Sequence, residues 1–302
     1  MRVLVTGATG YVGGAAARAL LAAGHEVVAL VRAASRDRAP AGAEVAVGDL
    51  TEPGSYRDLA AGADCVVHAG QRRTRGRITD RQIALLAATD ATAVATLAAA
   101  CATGGTRLVY TSGAFVFGDH GADWVDEDTP LTPSPLGTYH AAGVRALRRA
   151  ELDLRVLHLG FVYGPGGNFT TILYDPARRG LLRCPGPGRN FWSPVHLDDA
   201  AAAYVAAVES PTGGEWLIAD DRPQPLRALV DQVTDALGRK RVGTAPAAAL
   251  GLVGGRPAVE SLLTSYRMRN ARAKAELGWK PVHPTFADGL PATLAALGRP
   301  PT

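Results

Sequence analysis

Short apolar runs and longer Ala- and Leu-rich segments alternate along the first half of the chain. The short runs are rich in residues that favour β-strands. They are Arg2–Val5, Glu26–Val31, Glu44–Val47, Asp64–His68 and Leu108–Thr111. Because helical patterns separate these runs, the sequence predicts βαβ units with right-handed crossovers, and therefore an α/β fold with a doubly wound parallel sheet.

The predicted helices divide the chain into two regions. They are Ala15–Ala23 (closed by Gly24), Ile83–Cys101, Val195–Val208 (entered through Asp198 and Asp199), Pro225–Gly238 and Arg272–Leu277. After residue 160 the chain becomes richer in Pro and Gly, in the loop-like stretches Gly164–Gly167 and Cys184–Arg189. We expect residues 1–163 to form the sheet domain, with 190–220 returning to it. Residues 164–189 and 221–302 then form a smaller substrate-binding region.

Composition and charge exclude several classes of protein. The 302 residues, 47% hydrophobic and 20% charged, suit one large or two closely joined globular domains. The net charge of +4 is spread along the chain, without the basic stripe of a nucleic-acid-binding protein. Cys65, Cys101 and Cys184 are far apart, which argues against a disulfide framework and against a zinc site, and we expect no metal.

Targeting and membrane signals are weak. The N-terminal apolar run is short and broken by glycines, unlike a signal peptide. The apolar stretch Ala245–Gly254 is too short to cross a bilayer. The sequence therefore predicts a cytoplasmic protein with no membrane or nucleic-acid partner.

A glycine triplet lies between the first strand and the first helix. Gly7, Gly10 and Gly13 form G-x-x-G-x-x-G at this point. Small residues here allow the backbone to approach a pyrophosphate, and the helix N-terminus offers free N–H groups and the positive end of its dipole. This arrangement predicts a Rossmann-type dinucleotide site.

The end of the second strand indicates which dinucleotide binds. NAD sites place an acidic residue there to bind the ribose 2′-hydroxyl, whereas an arginine suits the 2′-phosphate of NADP. This chain has Arg32 at that point, followed by Arg36 and Arg38. NADP(H) is therefore the expected cofactor.

Taken together, these motifs resemble the short-chain dehydrogenase/reductase superfamily, in its extended and atypical branch related to NAD-dependent epimerases and dehydratases. The matching segments are Thr6–Gly13, Gly48–Leu50, Val66–Gly70, Val162–Gly166, Val195–Ala200 and Glu276–Pro281. The resemblance implies that the cofactor contacts Gly7, Thr9, Gly10, Tyr11, Val12, Gly13, Arg32, Asp49, Leu50, Ala69, Gly70 and Tyr139.

Two further segments have less certain roles in this resemblance. His196 and Asp198 lie where the family joins its sheet to its substrate region, so a structural role is favoured over a catalytic one. The basic run Arg72–Arg77 follows the fourth strand. A solvated loop is favoured there, and contact with the cofactor phosphate or with an anionic substrate group is the alternative.

The expected catalytic set is incomplete. The family uses Tyr-x-x-x-Lys with a Ser or Thr, and Tyr139 matches the tyrosine, but Gly143 stands at the lysine position. Only three of the 32 basic residues are lysines, all after residue 239. Gly113 stands at the serine position, with Ser112 beside it, so Ser112 faces away unless the strand end bulges. Tyr139 and Ser112 remain the catalytic candidates.

A tyrosine without its lysine is a poor base for alcohol oxidation, because its pKa stays near 10, but a neutral phenol can still donate a proton during reduction. The pattern is similar to an atypical polyketide ketoreductase, in which a phenolic hydroxyl beside the ketone assists proton transfer. An aromatic-lined pocket is then expected. The candidates for it are Trp124, Phe161, Phe169, Phe191 and Trp192.

The leading hypothesis is therefore an NADPH-dependent ketoreductase of a bulky aromatic or polyketide ketone, an activity that belongs to antibiotic biosynthesis. The alternatives are a non-catalytic NADP-binding sensor or partner protein, and a nucleotide-sugar epimerase or dehydratase. By analogy with the family, Ala141–Leu147 could form a homodimer contact.

Overall fold

The computed structural model describes residues 1–72, 74 and 76–298. Seven strands form one parallel sheet in the order β12-β7-β5-β4-β1-β2-β3. In chain order the strands are β1 Arg2–Thr6, β2 Glu26–Val31, β3 Glu44–Val47, β4 Cys65–His68, β5 Arg107–Gly113, β6 Trp124–Val125, β7 Leu154–Leu159, β8 Phe161–Tyr163, β9 Cys184–Pro185, β10 Phe191–Trp192, β11 Pro194–His196, β12 Gly214–Ile218, β13 Gln224–Pro225, β14 Thr244–Ala245 and β15 Arg267–Met268. This is the predicted doubly wound fold, which is confirmed.

Helices cover both faces of the sheet. They are α1 Tyr11–Ala22, α2 Arg57–Ala61, α3 Asp80–Gly104, α4 Thr138–Leu147, α5 Gly167–Phe169, α6 Asp175–Arg178, α7 Leu197–Glu209, α8 Leu226–Ala236, α9 Ala247–Gly254, α10 Arg256–Leu262, α11 Ala271–Glu276 and α12 Phe286–Gly298. One core layer lies between the sheet and α2, α3 and α4, and the other between the sheet and α1 and α7. Alternate residues of each strand enter opposite layers, since strand side chains alternate in direction.

Two predicted helices begin at different residues. Helix α1 begins at Tyr11, directly after Gly10, instead of at Ala15. The segment predicted as one helix over Val195–Val208 is divided, because Pro194–His196 pairs with β8 as a strand and the helix begins at Leu197. His196 ends the strand by accepting a hydrogen bond on Nδ1 from the backbone N–H of Asp198, which caps α7.

Helix α3 is longer than the predicted Ile83–Cys101 and begins with a capping box between Thr79 and Gln82. By length and composition alone it could cross a membrane. In the fold it packs beside α2, α4 and β5, and the core helix of a globular protein passes the same test. The helix is therefore weak support for a membrane span.

The short strand pairs lie outside the main sheet and connect distant parts of the chain. β6 pairs with β15, β8 with β11, β9 with β14, and β10 with β13. They bring Trp124 beside Arg267 and Phe191 opposite Pro225. The second half of the chain is thereby tied to the ends of the strands β5 and β7, where a ligand would approach in a fold of this kind.

Candidate functional site

The carboxyl ends of β1 and β4 meet at one hydroxyl group. Thr6 Oγ1 lies 2.7 Å from His68 Nδ1 and accepts a hydrogen bond of 3.1 Å from the backbone N–H of Gly70. The tautomer of His68 decides which of the two groups donates in the Thr6–His68 hydrogen bond, because a hydroxyl oxygen can accept two hydrogen bonds. This contact holds the two loops that follow β1 and β4 against each other.

The glycine loop requires glycine at the predicted positions. Gly7 has φ +72°, and a Cβ there would lie 2.6 Å from the carbonyl oxygen of Ala69. A Cβ on Gly13 would overlap the carbonyl of Gly7, and the Gly10 N–H donates to that same carbonyl at 2.8 Å. The loop is thus folded tightly against the β4 turn, as a pyrophosphate site needs.

The first turn of α1 is open to a ligand. Its N-cap is Gly10, which offers no side-chain hydrogen bond to the N–H groups of the turn. Thr9 is half-buried in the preceding turn, and Val12 packs against the core beneath the sheet. Tyr11 has a buried hydroxyl with no partner among the described residues. These uncapped N–H groups and this hydroxyl fit a dinucleotide pyrophosphate.

Arg32 and Asp49 lie on the far side of this loop. Arg32 is exposed at the end of β2, where it precedes a 3-10 helix spanning Ala33–Arg38. That helix also carries Asp37, exposed between two arginines. Asp49 accepts hydrogen bonds from the N–H and hydroxyl of Thr51, which lower its pKa together with the nearby charges of Arg32 and Arg72. Among the described residues, Arg32 forms no ion pair.

Several predicted cofactor residues line one cavity. Its walls are Leu50, Gly70, Gln71, Arg72, Leu86, Thr89, Asp90 and Tyr139. Leu50 and Gly70 are packed so closely that a Cβ on the glycine would lie 2.9 Å from the leucine. Ala69, the carbonyl partner of the glycine loop, lines the adjoining space with His68 and His140. The candidate cofactor cradle, formed by the glycine loop together with Leu50 and Gly70, and the candidate catalytic residue Tyr139 therefore lie at one edge of the sheet.

Tyr139 lies in the first turn of α4, half-buried at this cavity. Its hydroxyl donates a 3.3 Å hydrogen bond to Gln71 Oε1. Burial raises the pKa of the phenol, and the nearby carboxyl of Asp90 raises it further. Both effects oppose the role of the family's lysine, and they keep Tyr139 neutral at physiological pH.

Ser112 is less suited to catalysis than expected. Strand β5 continues regularly through Gly113, pairing Ser112 with His158 and Gly113 with Leu159, so the strand has no bulge here. Ser112 is buried, and its Oγ has no hydrogen-bond partner among the described residues. Gly113 has room for a side chain, because a Cβ there would meet only the Leu159 carbonyl, at 3.7 Å.

The lysine position is closed by other side chains. A Cβ on Gly143 would lie 2.5 Å from the Tyr110 hydroxyl and 3.0 Å from Asp90 Oδ2. Tyr110 and Asp90 are both buried, and they are joined by hydrogen bonds of 3.1 and 3.3 Å. The missing lysine is therefore replaced by a buried phenol–carboxyl pair that leaves space only for glycine.

This pair belongs to a chain of polar groups that the sequence analysis missed. His140 Nδ1 lies 3.1 Å from the Tyr110 hydroxyl, and His140 Nε2 lies 2.6 Å from Gln71 Nε2. Burial lowers the pKa of His140 to about 3 and raises that of Asp90 to about 7. One signal was visible, since Asp90 is the only charged residue between Arg81 and Arg107.

The predicted substrate aromatics have different surroundings. Phe169 and Trp192 are in the hydrophobic core, where Phe169 packs with Tyr163 and the Trp192 indole donates to the Leu262 carbonyl. This placement corrects the expectation that these two side chains line the substrate pocket.

The other three predicted aromatic side chains keep part of their surface exposed to solvent. Phe161 is half-buried against Trp192, while Trp124 and Phe191 both contact the guanidinium of Arg267. A substrate role for these three stays a prediction.

His196 has the structural role that was favoured. Its ring centroid lies 4.0 Å from that of His283, with the two ring planes tilted by 38°. Both oxygens of neighbouring Asp199 accept backbone N–H groups of residues 282 and 283. His196, Asp199 and His283 are close enough to hold a metal ion. Since the Asp199 oxygens are already engaged, the group serves to fix the C-terminal segment on α7. Asp198 stays exposed beyond the cap.

The structure leaves two predictions untested. Within the basic run, residues 73 and 75 lie outside the described part of the chain. The helix proposed for a dimer contact buries Ala141, Val144 and Leu147 against its own protein and exposes Ala142 and Ala146. The dimer remains a prediction.

Comparison with known proteins places this site in a family. A model described as the NAD dependent epimerase/dehydratase family matches residues 3–219. The 3-diazoavenalumate denitrifying reductase of a Streptomyces species is 38% identical, over 96% of this chain and 99% of that protein. The 2-alkyl-3-oxoalkanoate reductase of Stenotrophomonas maltophilia is 32% identical, over 81% of this chain and 78% of that protein.

A solved structure shows the same fold. The human epimerase-family protein crystallised with NADPH superposes with a TM-score of 0.82 at 23% identity, covering 98% of this chain and 99% of that chain.

Proposed function

The chain belongs to the NAD-dependent epimerase/dehydratase family of extended short-chain dehydrogenases/reductases, and we propose that it is an NADPH-dependent reductase of a small hydroxylated aromatic substrate. Its relatives include reductases, which supports an oxidoreductase. The observation that carries the proposal is the lysine position at Gly143, which Tyr110 and Asp90 close. Burial, and then the Asp90 carboxyl, raise the pKa of Tyr139 and keep it protonated.

The chain's own residues would hold the cofactor in a defined way. The N–H groups at the start of α1 and the tight loop at Gly7 and Gly13 receive the pyrophosphate. Exposed Arg32 receives the 2′-phosphate, and the side chains around Leu50 and Gly70 close the pocket. When bound, NADPH would supply a hydride to the acceptor.

Reduction suits the site around Tyr139, Asp90 and Gly143 better than oxidation does. Alcohol oxidation needs a base, and the raised pKa of Tyr139 makes its phenolate rare at neutral pH. In a reduction, the protein need not supply a proton donor when the acceptor itself carries an acidic group. A ketone beside a phenolic hydroxyl has that property, because the internal hydrogen bond stabilises the developing alkoxide. We therefore propose hydroxylated aromatic ketones, including polyketides, as one substrate class.

A second substrate class is favoured by one relative. The 38% identical protein is named as a reductase of 3-diazoavenalumate. An aryl diazonium group accepts hydride at its terminal nitrogen without a proton from the protein, and the resulting diazene loses N2 and leaves hydrogen on the ring. A site with neither lysine nor an exposed serine is compatible with this chemistry. Hydroxylated diazoarenes are our second candidate.

The test is NADPH consumption with matched substrates. We expect turnover with a hydroxylated aryl ketone or with a hydroxylated diazoarene, the latter giving the deaminated arene and one N2 for each NADPH. Product analysis separates the two classes. Tight NADPH binding with no product or hydride exchange for either class would instead support a non-catalytic sensor. Turnover of a nucleotide sugar would support an epimerase or dehydratase.

A further inference from the structure

The polar chain behind Tyr139 has a fixed direction. Asp90 accepts from the Tyr110 hydroxyl, so the Tyr110 oxygen accepts from His140 Nδ1 at 3.1 Å. Neutral His140 carries one ring proton, and its Nε2 atom therefore accepts from the Gln71 amide at 2.6 Å. Each group donates toward Asp90.

The outer end of the chain determines what a substrate meets. The Gln71 amide turns its nitrogen to His140, so its Oε1 faces Tyr139 and accepts the Tyr139 hydroxyl proton. That proton is then engaged within the protein. Toward the cavity Tyr139 offers only an oxygen lone pair, which accepts a hydrogen bond and donates none.

Protonation of Asp90 would reverse every step. A protonated carboxyl donates to the Tyr110 oxygen, and Tyr110 then donates to His140 Nδ1. His140 changes tautomer and donates from Nε2 to the Gln71 carbonyl. The turned amide donates to the Tyr139 oxygen. Tyr139 keeps its own proton, and its O–H can now donate a hydrogen bond into the cavity. One proton is gained at Asp90, and His140 stays neutral throughout.

We propose that Asp90 is a positioning residue that sets the direction of this chain and thereby decides whether Tyr139 accepts a hydrogen bond from the substrate or donates one to it. The inference rests on the proposed reductase function for its substrate. In the ionised state the site selects a substrate that carries a hydroxyl group. In the protonated state it also serves an acceptor that lacks one.

The surroundings of Asp90 allow this change near neutral pH. The groups that face it are His68 on β4, Tyr110 on β5, and Tyr139 and His140 on α4, with Arg72 on the same cavity wall. Its one ion-pair partner among the described residues is His68, at 4.0 Å. Burial lowers the pKa of His68 to about 4, so this partner is uncharged, and burial raises the pKa of Asp90 to about 7.

The first test needs no substrate. Protein carrying 15N-labelled histidine is titrated from about pH 5.5 to about pH 8.5, with the NADPH complex as a second sample, and the tautomer of His140 is read from its two ring nitrogens. The signals of His140 are identified, among those of the seven histidines, by their absence from the spectrum of His140→Gln. We expect the Nδ1–H form above neutrality and the Nε2–H form below it. A single tautomer across this range would overturn the proposal.

Matched variants separate Asp90 from a general effect of burial. Asp90→Asn should abolish the pH dependence of the His140 tautomer. Asp220→Asn should leave this pH dependence intact. Asp220 is also buried and has a pKa raised by burial to about 8, but it is not part of the hydrogen-bonded series Asp90–Tyr110–His140–Gln71–Tyr139. If Asp90→Asn fails to fold, Tyr110→Phe breaks the same chain. If the pH-dependent change of the His140 tautomer persists in Asp90→Asn or in Tyr110→Phe, the role proposed for Asp90 is refuted.

The second test measures selectivity. We compare kcat/KM for a hydroxylated aryl ketone and for its methyl ether. Their ratio in the wild type should be roughly fivefold higher at high pH than at low pH, the effect of one hydrogen bond. It should be independent of pH in Asp90→Asn. Absence of turnover in all proteins would count against the proposed function alone, since the histidine titration stands apart from it.

Discussion

The glycine loop of the cofactor cradle and the corner around Tyr139 lie at the same edge of the sheet, and glycine has a different role in each. In the cradle, Gly7 and Gly13 leave room for two backbone loops to meet, and beyond them for a ligand. In the corner, Gly143 leaves room for Tyr110 and Asp90 from the protein itself. The cradle keeps the family's glycine pattern. In the corner, Tyr110 and Asp90 fill the space of the lysine, and the Asp90 carboxyl raises the pKa of Tyr139, which the lysine would lower.

The largest effect should come from the cradle. Gly7→Ala places a Cβ 2.6 Å from the Ala69 carbonyl in a left-handed conformation. We expect NADPH affinity to fall ~100-fold or more, measured by fluorescence titration. Gly54→Ala is the control, because nothing lies within 4 Å of its Cβ position. Equal affinities for the two variants would contradict the close approach described for this loop.

The next prediction contrasts the two glycines of the corner. Gly143→Ala should lower the free energy of unfolding by roughly 1–3 kcal/mol, since its methyl group overlaps Tyr110. Gly113→Ser should be nearly neutral, because that position is open. Chemical denaturation of both variants measures the difference. If Gly143→Ala is as stable as Gly113→Ser, the lysine position is not closed.

A smaller effect concerns the choice of cofactor. Arg32→Ala should raise the KM for NADPH by about tenfold and spare that for NADH, because only NADPH carries the 2′-phosphate. Arg18→Ala, which removes an exposed arginine from the middle of α1, is the control. A similar change for both cofactors would remove the assignment of Arg32 to the 2′-phosphate.

The smallest effect is expected at the tyrosine itself. Tyr139→Phe should keep kcat within about tenfold of the wild type, the range of one lost hydrogen bond, if the acceptor supplies its own proton. Steady-state reduction of the hydroxylated substrate measures this. A loss of several orders of magnitude would make Tyr139 the obligatory acid and bring the corner closer to the family's usual chemistry.

The sequence predicted the cradle better than the corner, for a physical reason. Gly7, Gly10 and Gly13 are neighbours in the chain, and their spacing alone specifies the loop. The five strands predicted in the first half of the chain agree with β1–β5 within one or two residues, because buried parallel strands are short and strongly apolar. β7 and β12 of the same sheet were not predicted. At β11 the prediction was wrong, since Pro194–His196 pairs with β8 as a strand and the helix begins only at Leu197.

The corner depends on contacts between residues far apart in the chain. Asp90 comes from α3, Tyr110 from β5 and His140 from α4, and only the fold brings them together. The sequence showed that the lysine is absent, but not what fills its place. Burial of Phe169 and Trp192 was equally hidden, because loop-flanking aromatics look alike whether they face a ligand or the core.

The crowding at Gly143 also has an evolutionary consequence. A mutation that returned lysine to this position would first meet Tyr110 and Asp90, so it would destabilise the protein before it could improve alcohol oxidation. A stable lysine at this position requires at least one of those two buried groups to change beforehand. Packing around Gly143 therefore opposes lysine-assisted alcohol oxidation in addition to the absence of a lysine at this position.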